Sequence, residues 1–405
     1  MIGSRSGGHA CRPFMVARVR SVPSKPHAPA TLWTVQWMRA AAALMVVIGH
    51  SQSVVGGIAR TTGGSFTRST VLPWGAGVDL FFVISGFIMV HASRALFGEA
   101  GAARVFLKRR LARIIPLYWL ATTLFLMILA AASLKGGDLF PSAAAILASY
   151  AFVPYASNGA LAFPVFDLGW TLNYEMFFYA VFAATLATGI GRVRATMGIA
   201  VALLAVVLIG AWLPMPVAAL RFWTRPIIVD FALGLAVALA LAEGVVLPRL
   251  VRWAMVAAGV AILCADPCHL FNGPVGITVA NGWPRVIVAG LPAALVLAGA
   301  VLGPEPHVHR LLAPLGAIGD ASYSLYLLHP FVLIAVEKMA QKSAAFRALP
   351  GGAIVAGMVG VAIAVALVAH RRLERPLTRW VNARLAARIM PRSRDDAFPI
   401  RGAKT

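Results

Sequence analysis

The apolar stretch TVQWMRAAAALMVVIGHSQ carries Arg39 and His50 and no other charge. Eleven residues are close to three turns of an α-helix, so both side chains lie on one face, about 16 Å apart along the axis. A stripe of this helix must therefore meet a polar interior. An imidazole, with an unperturbed pKa of about 6.5, is suited to taking a proton from a hydroxyl near neutral pH. The plainer alternative has Arg39 snorkelling to the headgroups and His50 solvated near the outer end. That alternative gives no reason for the shared face.

Further polar residues interrupt apolar segments. The run GVDLFFVISGF puts Asp79 near a helix start and Ser85 beside Gly86 at mid-depth. Asp79 can orient a base or cap the helix, and Ser85 can bond across to a neighbour more readily than act as a nucleophile. In FLKRRLARIIPLYWL, Lys108, Arg109, Arg110 and Arg113 crowd together, with Arg110 and Arg113 on one face. They read either as an inner-surface anchor, with Tyr118 and Trp119 at the interface, or as a clamp for an anionic donor, because guanidinium forks match phosphate. DLGWTLNYEMFFY brings Trp170, Asn173 and Glu175 to another helix start, with Tyr179 one turn beyond Glu175. Glu175 is a functional candidate at membrane depth or an acid suited to the helix dipole. DASYSLYLLHP aligns Ser322, Tyr326 and His329 on one stripe. HRRLERPLTRW, with Glu374 among arginines, reads as a cytoplasmic anchor, and Asp230, five residues after Arg225, as a structural ion-pair member.

The elements that must hold these groups follow from composition. The chain has 405 residues, 60% hydrophobic and 12% charged, with a mean hydropathy of +0.81. Soluble domains carry about twice that charge, so the chain reads as an integral membrane protein. Its net charge of +22 fits positive-inside loops and tails, which makes nucleic acid a poor partner. Apolar runs long enough to cross about 30 Å of hydrocarbon fall at 34–54, 76–93, 111–134, 169–190, 196–214, 226–244, 250–266, 284–303, 322–341 and 352–371. The expected fold is all-α: a polytopic membrane protein with about ten transmembrane helices in one bundle. The stretch 142–157 is short and is expected to be interfacial or re-entrant. Residues 1–30 are expected to form a disordered basic head without a signal peptide, 31–376 the membrane domain, and 377–405 a basic tail. The bias of Lys and Arg puts both termini in the cytoplasm. Three cysteines make neither a disulfide framework nor a metal cluster. Cys264 and Cys268 read as isolated small residues rather than a pair, and no metal is expected.

Together the segments resemble the membrane acyltransferase 3 family. The resemblance rests on Arg39 and His50 at R-x10-H, GVDLFFVISGF over 77–87, RLAR at 110–113 leading to IIPLYW, WTLNYE at 170–175, SYSLYLLHP at 322–330 and LERP at 373–376. None is specific alone; six in order are. Within the family the likeness is to exopolysaccharide-production acetyltransferases, through WTLNYEMFFY and the lack of an appended hydrolase-like domain. The resemblance implies a bacterial inner-membrane enzyme that uses cytoplasmic acyl-CoA, as co-substrate, to O-acylate a carbohydrate at or beyond the far face. Carried over residue by residue, His50 is the base and Arg39 its support; Glu175 joins the catalytic candidates through its own place at membrane depth. Arg110 and Arg113, with Tyr118, serve the donor side. Asp79, Ser85, Trp170, Asn173, Tyr326 and His329 are candidates for substrate contact. The basic head inherits no role.

On this reading Arg110 and Arg113 hold the 3′-phospho-ADP portion of acetyl-CoA at the inner surface, and the pantetheine arm rises through a thin apolar cleft. His50 deprotonates a sugar hydroxyl, with direct attack and a covalent acetyl-His50 both open. Polysaccharide-synthesis machinery is a further expected partner. Two other classes compete: a polysaccharide or lipid-linked sugar flippase, which usually shows internal repeats or paired broken helices, and a non-enzymatic subunit of a polysaccharide synthase.

Overall fold

In the computed structural model, residues 32–136, 140–157, 160–215, 217–271, 282–305 and 312–387 are described. The head, and the tail beyond residue 387, lie outside them.

The chain opens with α1 (Trp33–Thr61), α2 (Gly77–Ala92) and α3 (Ala102–Ser133). The short α4 (Ala143–Tyr150) leads into a two-stranded antiparallel hairpin, β1 (Tyr155–Ser157) with β2 (Ala160–Ala162), in which Tyr155 pairs with Ala162. Then come α5 (Gly169–Ala187), α6 (Arg192–Trp212), the brief α7 (Ala218–Trp223), α8 (Val229–Ala242) and α9 (Arg249–Ala265). A single rod, Trp283–Val301, consists of α10 (Trp283–Arg285), a π-helical turn Val286–Gly290, and α11 (Leu291–Val301). The chain closes with α12 (Ala313–Asp320), α13 (Ser322–Lys342), the short α14 (Ala344–Arg347), α15 (Gly351–Ala369), a π turn His370–Glu374 and α16 (Arg375–Ala387).

Each of the ten expected runs is helical, but the count of about ten membrane spans is not upheld. Among the described residues six helices are long and apolar enough to cross, or seven if α12 and α13, bent by 76° at Ala321, form one span. The reasons are local. Trp170, Asn173 and Glu175 dilute the first half of α5, while α8 and α9 have 14 and 17 residues, fewer than the roughly 20 that a bilayer requires. The 142–157 stretch contains no crossing helix. The eight residues of α4 extend about 12 Å, and the hairpin follows.

Close approach of α2 and α8 fixes the centre of the bundle. A Cβ on Gly86 would collide with the carbonyl of Phe231, and one on Gly234 with that of Val83, so each helix presents a glycine to the other's backbone. Small residues at such crossings let backbones meet where lipid supplies no hydrophobic drive. An aromatic stack seals this side: Phe82 and Phe178 each lie 4.5 Å, centroid to centroid, from Phe231, and Phe106 lies 4.6 Å from Phe182. These rings tie α2, α3, α5 and α8 into a wall. On the other side α1 runs against α12 and α13, with Gly319 set directly on the Gln36 carbonyl.

Candidate active site

A cavity of about 120 Å³ lies between these two sides. At 10–15 Å³ per water it has room for roughly ten waters or a slender chain. Its apolar lining includes Phe81, Phe82, Ile84, Ile88 and Ile114. Its polar lining draws on five helices: Arg39 from α1, Ser85 from α2, Arg110 and Arg113 from α3, Glu175 and Tyr179 from α5, and Ser322 and Tyr326 from α13.

The polar groups divide into satisfied and unsatisfied sets. Arg39 is 9% exposed. It donates from Nη2 to Ser322 Oγ at 2.9 Å and from Nη1 to Gln36 Oε1 at 3.1 Å. Glu175 accepts from Ser85 Oγ at 3.1 Å and, more closely, from the Tyr179 hydroxyl. Tyr326 and Thr171 share a hydrogen bond of 2.9 Å between hydroxyls. Arg110 and Arg113 are different. Their guanidinium groups have no hydrogen-bond partner among the described residues, and Arg110 Nε is buried as well. The Arg110 guanidinium rests 5.6 Å from the centroid of Phe106, which fixes its direction without satisfying its donors. Two cations whose donors lack hydrogen-bond partners, in a wall that also holds Glu175, present an anion-seeking surface. They line the cavity rather than the inner surface expected of them, because successive turns of α3 turn this face inward and leave Arg109 exposed.

His50 stands three turns along α1 from Arg39, and both side chains point at α13: Arg39 meets Ser322, and His50 Nδ1 lies 2.9 Å from His329 Nε2. The imidazole is partly exposed. It lies beyond Tyr326, whose ring centroid is 6.3 Å from that of His329, rather than on the cavity wall.

Several expected contacts are placed elsewhere. Asp79 is wholly buried in an ion pair with Arg285, through Nε at 2.8 Å and Nη2 at 2.9 Å, so it neither orients His50 nor faces the cavity. Asp230 lies with this pair and against Gly290 rather than pairing with Arg225. Tyr118 is fully buried, donates to the Ser149 carbonyl at 3.2 Å and packs on Phe152; it supports the 142–157 segment and not the cavity. Trp170 packs edge-on to Tyr174, and the Asn173 carbonyl accepts from Trp223 Nε1 at 3.3 Å. Both brace α5 from behind. Glu374 is no surface anchor: it is 5% exposed and accepts from Ser324 Oγ at 2.6 Å, with His370 Nδ1 at 2.8 Å. The i,i+4 spacing of His370 and Glu374 and the stripe position of Ser324 were signals for this cluster, masked by the surrounding arginines. Both Cys264 and Cys268 are free. No group of His, Cys, Asp or Glu among the described residues is arranged to hold a metal ion.

The exopolysaccharide production protein ExoZ of Rhizobium meliloti (strain 1021) is 36% identical over 334 residues, covering 80% of this chain and 95% of that protein. Protein 2 in the picA locus of Rhizobium radiobacter is 36% identical over 88 residues, 22% of this chain and 40% of its own length. No solved structure matches. The profile of the acyltransferase 3 family, described as an acyltransferase domain, matches residues 32–371, which hold the whole cavity and the histidine pair; the chain belongs to that family.

Proposed function

We propose that this protein is an O-acyltransferase of the bacterial inner membrane that moves an acyl group, acetyl in our reading, from cytoplasmic acyl-CoA to a hydroxyl of an exported carbohydrate such as exopolysaccharide. The observation that carries the proposal is the pair of unpartnered guanidinium groups, Arg110 and Arg113, in the wall of a narrow cavity that also contains Arg39 and Glu175. A narrow apolar passage suits a thin pantetheine arm and excludes water that would hydrolyse the thioester. The nucleotide is too bulky for it and stays at the mouth, with its phosphates drawn to Arg110 and Arg113. His50 then acts as general base on the sugar hydroxyl, Arg39 steadies charge along the same face, and Glu175, held by Ser85 and Tyr179, keeps the cavity polar. Tyr326 also lines the cavity, with its hydroxyl held by Thr171 and the Leu168 carbonyl. With both termini cytoplasmic, the donor enters from the Arg39 end and the carbohydrate meets His50 from the opposite face. Likeness to a relative named for exopolysaccharide production supports the acceptor class.

The direct test is mass spectrometry of surface polysaccharide from cells with and without the gene. A shift of one acyl unit per modified residue is expected. Unchanged acetylation with lost export would favour an assembly subunit, and substrate accumulation in proteoliposomes without acyl-CoA would favour a flippase.

The donor assignment has its own test. Arg113→Ala removes a charge-assisted contact of roughly 1.5–3 kcal/mol, so KM for acetyl-CoA should rise about 10–100-fold while KM for the carbohydrate changes little. Equal rises in both would return Arg113 to the role of an anchor.

A further inference from the structure

The hydrogen-bond chain through His329 specifies which nitrogen of His50 is basic. His329 is 1% exposed, and its Nδ1 lies 3.1 Å from the Leu325 carbonyl oxygen. A carbonyl only accepts, so Nδ1 of His329 carries the hydrogen. In a neutral imidazole the other nitrogen is then a lone-pair acceptor, which makes His329 Nε2 the acceptor of the 2.9 Å bond to His50. His50 must therefore donate from Nδ1, and its own lone pair is on Nε2. That atom makes no hydrogen bond to a described residue, and it is not sealed from solvent.

Local sequence explains why the ring of His329 is held this way. Pro330 has no N–H, so the Tyr326 carbonyl one turn earlier loses its helical donor. The imidazole edge faces the Leu325 and Tyr326 carbonyls together, and α13 continues through Pro330 to Lys342. The proline thus creates an acceptor-rich edge that selects one tautomer.

We infer that His329 is a positioning residue that fixes His50 as the Nδ1–H tautomer and leaves Nε2 as the base for acyl transfer, rather than a contact to the substrate. The inference rests on the reading of His50 given above. As the sugar oxygen bonds to the acyl carbonyl carbon, its proton passes to His50 Nε2. When the carbon–sulfur bond breaks, the departing CoA thiolate takes that proton back. Between these steps His50 is an imidazolium whose Nδ1–H points at the lone pair of His329, which steadies it without adding a charge to the bundle. Arg68, from the segment that follows α1, is the charged group close to His50; the other groups near the pair are apolar or neutral: Tyr326 and Leu325 on α13, and Gly49 and Ser53 on α1, where Ser53 is bonded to the Gly49 carbonyl.

The test compares full-length variants in detergent, with radiolabelled acetyl-CoA as donor and polysaccharide from cells lacking the gene as acceptor. His329→Leu removes the acceptor and is expected to lower kcat at least about 100-fold, with KM for acetyl-CoA within twofold. His329→Gln can offer an amide oxygen to His50 Nδ1–H and should stay within about tenfold of the parent. His329→Met, similar in size and a poor acceptor, replaces the leucine variant if that one fails to insert. A leucine or methionine variant within threefold of the parent, or an equal loss in the glutamine variant, overturns the inference. His50→Ala run in parallel separates the two ideas. If it is inactive while His329→Leu is unaffected, only the inference falls; if it is active, the base assignment falls and takes the inference with it.

Discussion

His50→Ala is expected to abolish acyl transfer, a fall in kcat of at least about 10²–10⁴-fold, with protein level and membrane insertion unchanged. The two halves of this expectation have separate causes. His50 is partly exposed, and its one side-chain hydrogen bond is to His329. Truncation leaves a single buried acceptor unsatisfied, a cost of roughly 1–3 kcal/mol that a bundle of this size absorbs. The chemical cost is larger, because no other described side chain combines a free basic nitrogen with the face of α1 that carries Arg39 towards the cavity. Label transfer from acetyl-CoA to polysaccharide measures the first half, and the yield of monodisperse protein in detergent measures the second. Full activity in this variant would remove His50 from the chemistry. Mass spectrometry of the parent incubated with acetyl-CoA alone then separates two routes: a stable mass increase on the peptide containing His50 marks a covalent intermediate, and its absence at substrate turnover marks direct attack.

Much of this site was legible in the sequence because helix periodicity is a strong constraint. The spacing of Arg39 and His50 put both on one face, and both meet α13. The spacing of Ser322, Tyr326 and His329 put these on the answering stripe, and they bond respectively to Arg39, Thr171 and His50. Glu175 and Tyr179 pair as their separation requires. What periodicity cannot give is which element a polar face meets. Asp79 looked like a base-orienting group because its partner, Arg285, is about 200 residues away, beyond any local pattern. Tyr118 sat beside the donor arginines in sequence, yet one face of α3 turns Arg110 and Arg113 to the cavity and another turns Tyr118 to Phe152. Helix identity was readable and span count was not. Hydropathy located α5, α8 and α9, but whether they cross depends on length and on the polar residues that α5 devotes to the site.

Asp79→Ala should damage folding severely, and it discriminates between two roles for this carboxylate. Asp79 and Arg285 are both 0% exposed at the side chain, and they join the first turn of α2 to the rod Trp283–Val301. Removing one partner of a buried pair typically costs about 3–5 kcal/mol, and here Arg285 loses its two-point carboxylate contact and keeps the neighbouring Asp230. Against a stability of roughly 5–15 kcal/mol, the expected results are a fall of several degrees in thermal midpoint in detergent and a lower yield from membranes. Asp230, also 0% exposed, shares this pocket, so Arg285→Leu alone should be at least as harmful: it takes the guanidinium from two buried carboxyl groups at once. The combination Asp79→Leu, Arg285→Met and Asp230→Asn removes every charge together and should recover most of the loss, because apolar replacements of a whole buried ionic group are commonly neutral or stabilising. Whatever folded Asp79→Ala protein is recovered should retain KM for the carbohydrate, since the pair lies outside the cavity wall. A stable variant with a sharply raised acceptor KM would instead make Asp79 a substrate contact, and the ion pair would then be a resting arrangement that the carbohydrate displaces.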